Sequence, residues 1–139
     1  MTRRLPGTRM RTSCIGVAFL MLAAFPSAAQ TVNDPGLQVE VVAGGLVQPT
    51  TMAFIGDDDI LVLQKANGQV RRIVGGVVQA TPMLDVAVDS ASERGLLGVA
   101  LDPDFAVNRR VFLYCTESAT GADTVGTPIP LGNRVYRYT

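Results

Sequence analysis

The sequence predicts an all-β chain built from the repeating strand units of a propeller. Short apolar runs are cut at close spacing by turns rich in Gly, Asn and Asp. No apolar period of 3.6 residues follows the N-terminal segment. The pattern of one strand group also returns, with insertions, in the second half of the chain.

The N-terminal segment is of another kind. Arg3, Arg4, Arg9 and Arg11 form a basic opening, Cys14 to Phe25 is an apolar run, and Pro26 and Ser27-Ala28-Ala29 follow. That order reads as a secretory signal peptide over residues 1–29, handled by the general secretory route because Leu5-Pro6 fits a twin-arginine signal poorly. A membrane-spanning helix needs roughly 20 apolar residues, more than this run offers, so a retained anchor is the weaker reading. Cleavage after Ala29 would take four Arg with it. All 12 acidic residues lie beyond that point against 8 basic ones, so the formal net charge falls from 0 to −4 (8 − 12). A mildly acidic surface without a basic stripe argues against nucleic acid and against an anionic membrane surface as partners. The sequence contains no histidine, which excludes His-based catalysis or metal ligation by these residues.

Residues 30–139 then divide in order. Asp34-Pro35-Gly36 is a turn, Val39 to Val42 a first strand, and Gly44-Gly45 its stop. Thr51 to Ile55, Ile60 to Gln64, Gln69 to Val74 and Val77 to Gln79 form an up-and-down meander. Its turns are Gly56–Asp59, Ala66-Asn67-Gly68 and Gly75-Gly76. Met52-Ala53-Phe54 recurs as Val99-Ala100-Leu101. Ile60 to Leu63 recurs as Val111 to Tyr114 after a turn with four extra residues. Val70-Arg71-Arg72 recurs as Val135-Tyr136-Arg137 after a longer loop from Glu117 to Gly132. A repeat of this kind fits a propeller blade. The chain holds one blade and about three strands of the next, which leaves strand edges and apolar faces open and makes residues 30–139 alone prone to aggregate.

The most specific stretch is Glu93-Arg94-Gly95-Leu96-Leu97-Gly98-Val99-Ala100-Leu101-Asp102-Pro103-Asp104-Phe105. Gly95 permits a close backbone approach at a strand entrance. Leu96 to Leu101 reads as a strand buried on both faces, Asp102-Pro103-Asp104 as a turn, and Phe105 as a cap on the apolar layer. This stretch resembles the hallmark of the glucose/sorbosone dehydrogenase family, which includes soluble pyrroloquinoline quinone (PQQ)-dependent sugar dehydrogenases. The Val41–Pro49 opening, Met52-Ala53-Phe54 and the Ile60 to Ile73 hairpin resemble the family's first blade. The resemblance implies a six-bladed β-propeller, of which this chain is the N-terminal portion. It also implies oxidation of aldose sugars at C1 to lactones, with PQQ and calcium as cofactors and an external electron acceptor.

In that family a glutamine commonly stands two residues before the glycine of GLLG and faces the cofactor, which makes Glu93 the cofactor-binding candidate here. Glutamine both donates and accepts, whereas an ionised carboxylate only accepts. A charged Glu93 would repel the carboxylates of PQQ unless protonated or paired with a metal. Glu93 also suits a structural role, bonding the loop around Gly95 or pairing with Arg94. The family's catalytic histidine and calcium ligands have no matching positions, so no catalytic or metal residue is assigned. Two other readings stay open: a non-catalytic secreted propeller that binds protein or carbohydrate, and a truncated chain without function.

Asp57-Asp58-Asp59, Asp102 and Asp104 are turn residues, and Arg109-Arg110 is surface charge. Asp85 and Asp89 flank a loop, solvated or facing a central pocket. Tyr136 and Tyr138 pack on one strand face, and Cys115 is a buried small apolar residue.

Overall fold

The structure, a computed structural model, describes residues 31–139. The expected signal peptide, residues 1–29, lies outside them. The chain divides into two compact units, up to Val39 and from Glu40 onward. In the described part of the first, Asp34 forms the expected turn. Its Oδ1 accepts from the Gly36 N–H at 2.8 Å, and its carbonyl accepts from the Leu37 N–H at 3.1 Å.

The second unit is two antiparallel sheets. The first is a meander of β1 (Pro49–Gly56), β2 (Asp59–Gln64), β3 (Gln69–Val74) and β4 (Val77–Val78), with β5 (Leu84–Asp85) pairing the other end of β3. The second sheet is β6 (Leu96–Leu101), β7 (Val111–Glu117) and β8 (Gly132–Tyr138). A single helical turn, α1 (Phe105–Asn108), lies between β6 and β7 and accounts for the extra residues in that turn of the repeat. Asp102 supports it: Oδ1 accepts from the Asp104 N–H at 3.0 Å and from Asn108 Nδ2 at 2.8 Å.

The repeat read from the sequence holds at the level of cross-strand partners. Met52 pairs with Val62, as Val99 pairs with Leu113, and Leu61 with Arg72, as Phe112 with Arg137. Equivalent positions nevertheless face opposite ways. In the first sheet Leu61, Leu63 and Val70 enter the inter-sheet core. Their counterparts Phe112, Tyr114 and Val135 are not in that core, and Tyr114 and Val135 are exposed. The second sheet presents Val99, Leu101, Val111, Leu113 and Tyr138 instead. These match Met52, Phe54, Ile60, Val62 and Ile73 on the far side of the first. The two sheets therefore stack head to tail, one face of a unit on the other face of its successor. A heterologous contact of this kind extends by repetition and closes only as a ring.

Burial supplies the energy of this contact. Leu63, Leu96, Leu113, Val70 and Val88 are fully buried, each contributing about 1.5–3 kcal/mol relative to exposure. Tyr136 and Tyr138 pack against the same cluster, as expected, with ring centroids 6.3 Å apart. Cys115 is a free thiol among the described residues, buried there too, and burial pushes its pKa up.

Two expectations are corrected. Val39–Val42 forms no strand; Val41 and Val42 instead line an apolar groove of about 700 Å³ over the far face of the first sheet, beside Met52 and Phe54. Leu96–Leu101 is buried on one face only, because Gly98 and Ala100 point to the open side with Phe112 and Tyr114. The sequence pattern fits a strand inside a completed stack, which the described residues do not provide.

The sheets meet most closely at Gly95. Its φ is +135°, and a Cβ there would stand 2.5 Å from the Lys65 carbonyl oxygen. Gly95→Ala is therefore expected to lower stability by about 2–3 kcal/mol, read as a fall in the denaturant midpoint. An unchanged midpoint would show that the two backbones do not touch.

Candidate functional site

β6 begins at a point where three segments converge. The Leu96 N–H donates to the Lys65 carbonyl at 3.1 Å, the Thr116 N–H donates to the Gly95 carbonyl at 2.9 Å, and Thr50 Oγ1 donates to the Leu96 carbonyl at 3.0 Å. Each bond crosses between elements far apart in sequence, so the backbone at Gly95–Leu96 is fixed from both sides.

Immediately before it, residues Ala91–Arg94 make a tight turn closed by the Arg94 N–H on the Ala91 carbonyl at 3.0 Å, with Ser92 at φ +51°. Glu93 sits on this turn, exposed. Among the described residues its side chain makes no hydrogen bond or ion pair. The pairing with Arg94 considered from the sequence does not form. Arg94 turns instead to Asp89, at 3.3 Å, where a fully buried carboxylate has more need of a cation than an exposed one. Lys65 Nζ caps the carbonyl of Ser92 and brings an ammonium to the same turn.

Asp89 differs most from its sequence reading. It is neither solvated nor in a pocket but fully buried. Oδ2 accepts from the Gly126 N–H at 2.7 Å and from Thr124 Oγ1 at 3.0 Å; Oδ1 accepts from the Ala91 N–H and Arg94 Nη1, each at 3.3 Å. Burial pushes this carboxyl up, but the bonds from Gly126, Thr124, Ala91 and Arg94 together outweigh it and hold the pKa below the usual aspartate range. Its partners lie up to 37 residues away, so no local pattern reveals them. A carboxylate closing the Val86-Ala87-Val88 run was the one available signal.

The remaining acidic candidates are structural. Asp59 makes a two-point pair with Arg72 across β2 and β3 (2.8 and 2.6 Å), whose hydrogen bonds lower its pKa. Asp57 and Asp58 are exposed in the turn before it, and Asp85 accepts from Gln69 Nε2 at 3.3 Å. Among the described residues no three His, Cys, Asp or Glu side chains cluster to hold a metal ion, and no helix is long and apolar enough to cross a membrane. Arg109 and Arg110 are exposed as expected, with the Arg109 guanidinium 5.5 Å over the Phe105 ring.

This turn can offer one ammonium with spare donors, one guanidinium and one free carboxylate. That set suits the edge of an anionic, carboxylate-bearing ligand, with Lys65 meeting the anion and Glu93 accepting from a hydroxyl or another donor. It fits one edge of PQQ, with the charge on Glu93 as the discordant element.

Residues 46–133 match the family model for glucose/sorbosone dehydrogenase. An aldose sugar dehydrogenase of Escherichia coli K12, YliI, is 33% identical over 96 residues, which are 68% of this chain and 24% of that protein. Quinoprotein glucose dehydrogenase B of Acinetobacter calcoaceticus is 23% identical over 125 residues, covering 88% of this chain and 26% of its own. The PQQ-bound aldose sugar dehydrogenase of Streptomyces coelicolor superposes with a TM-score of 0.57 at 29% identity, over 71% of this chain and 26% of that one. The chain thus spans about a quarter of the length of the relatives it matches.

The charge state of Asp89 sets an acid limit. Its folded pKa lies below the unfolded value, so its contribution is complete above about pH 4 and is lost as pH falls through the folded pKa. Asp89→Asn is expected to lower stability at neutral pH and to flatten its fall below about pH 4, followed by denaturant midpoints across pH. An acid limb identical in both proteins would contradict it.

Proposed function

The chain belongs to the glucose/sorbosone dehydrogenase family, and from that premise we propose that it serves a PQQ-dependent dehydrogenase oxidising aldose sugars at C1 to lactones. Its part is scaffold and one wall of the cofactor site. The observation that carries this reading is the turn at Glu93, exposed and without side-chain partners among the described residues, with Lys65 beside it at the entrance to β6. The turn lies inside the residues matched by the family model.

Bound PQQ would supply the two-electron acceptor, with calcium as its Lewis-acid partner, before electrons pass to an external acceptor. The residues of this chain bind and orient. Lys65 provides an ammonium for a ligand carboxylate, and Glu93 accepts a hydrogen bond at the rim. The Gly95 contact holds the backbones that carry both, which matters because misplacement of about 1 Å can cost a hundredfold in rate. The family's general base for the C1 hydroxyl proton is a histidine, and none of these residues is one. The site is reached outside the cytoplasm, the periplasm or medium being where residues 1–29 would direct it as a cleaved export signal.

The test is titration of the native protein, purified from its own cells, with PQQ and calcium, read by absorbance and then by lactone formation from glucose. Saturable binding and lactone formation are expected, and intact mass should place the mature N-terminus at Gln30. No binding with calcium present would sink the dehydrogenase reading and favour a propeller that binds without catalysis. Glu93→Gln removes one like charge at the site and should tighten PQQ binding by up to about tenfold. Weaker binding in that variant would mean the carboxylate is itself a required partner of a cation.

A further inference from the structure

We propose that Asp89 is a positioning residue whose buried carboxylate locks the Glu93 turn and the loop between β7 and β8 into one arrangement, so that the surface offered to the cofactor is preset. This rests on the reading of that turn as a wall of the cofactor site.

The geometry separates the two oxygens of Asp89 by task. Oδ1 takes the Ala91 N–H and Arg94 Nη1, the two ends of the turn that carries Glu93. Oδ2 takes Thr124 Oγ1 and the Gly126 N–H, both from the long loop. Two backbone bonds and one to the Asp123 side chain run parallel to this link. The Ser90 N–H donates to the Thr124 carbonyl at 2.9 Å, the Thr124 N–H to the Val88 carbonyl at 2.8 Å, and the Val88 N–H to Asp123 Oδ1 at 3.1 Å. The Asp89 N–H itself donates to the Thr116 carbonyl at 2.9 Å, tying the assembly to β7.

A plain core role would not need a carboxylate here. An apolar residue would fill the space without the cost of burying a charge. What only an ionised carboxylate supplies is four acceptances at once, toward two backbone N–H groups, a hydroxyl and a guanidinium. The turn is therefore held at its first residue and at Arg94 by Asp89, and just beyond its end by the Gly95 contact. Glu93 stands between them on a backbone with little freedom. Asparagine in place of Asp89 would keep the volume but turn an amide N–H₂ toward donors on one of its two sides.

The experiment compares the native full-length protein with Asp89→Asn, Thr124→Val and Val70→Ala. Val70→Ala is a core truncation that lowers stability without touching the turn. Two quantities are read well below the unfolding temperature: the Kd for PQQ with calcium, and amide exchange at residues 90–94 and 123–126. Asp89→Asn is expected to weaken PQQ about tenfold and to speed exchange in both segments together. Thr124→Val should do the same to a smaller degree, about threefold, and decides the matter if the Asn variant does not fold. Val70→Ala should leave the Kd within about twofold. The inference is overturned if Val70→Ala weakens PQQ as much as the Asn variant, or if Asp89→Asn or Thr124→Val leaves the Kd unchanged. It is also overturned if exchange rises in one segment alone. If the wild-type protein does not bind PQQ, the cofactor reading fails instead, and the exchange arm still decides whether Asp89 couples the two segments.

Discussion

The close passage of the Lys65 and Gly95 backbones sets how the two sheets meet. A residue with a side chain at position 95 would hold the two sheets apart, since its Cβ would meet the Lys65 carbonyl at 2.5 Å. With glycine there, the Lys65 carbonyl accepts from Leu96 and the Gly95 carbonyl accepts from Thr116, joining the first sheet, β6 and β7 at one step of backbone. Leu63, Leu96 and Leu113 are then fully buried between the sheets. The apolar contact gives the energy and the glycine gives the distance.

The proposed function rests on where that step lies. The residues before it emerge as a turn at the joint between sheets, so the backbone that carries their side chains is held by two units of the repeat. Binding groups on loops gain precision when a rigid scaffold fixes both ends. Glu93 has that support, and the Asp89 carboxylate extends it to the loop before β8. The head-to-tail stacking leaves Met52 and Phe54 open on one side and Tyr114 and Val135 on the other, the faces that further units of the repeat would cover.

Much of this fold was legible in the residues. Turn signals at Gly75-Gly76 and Asn67-Gly68 placed the meander, and β3 runs over Gln69–Val74 as the sequence indicated. The repeat was legible as matched strand segments, and the pairs Met52–Val62 and Val99–Leu113 keep it, but which face of each unit enters the core was not, because opposite faces are buried in the two sheets. Val39–Val42 misled because apolar β-branched residues also suit an extended segment lying over a sheet face, and nothing local distinguishes that from a paired strand. For the candidate site, the sequence offered Glu93 as the candidate but not its freedom from Arg94, which pairs with Asp89. The buried state of Asp89 was illegible for a related reason: its partners Thr124 and Gly126 are brought to it by the fold of a distant loop.

On the proposed function, the joint between the two sheets presents its turn to PQQ. A crystal structure of the native protein grown with PQQ and calcium tests it most directly. Density for the quinone within hydrogen-bonding reach of Lys65 or Glu93, with the Gly95–Lys65 contact in place, is the predicted result. Ordered PQQ bound away from that turn, or sheets that do not meet at Gly95, would contradict it.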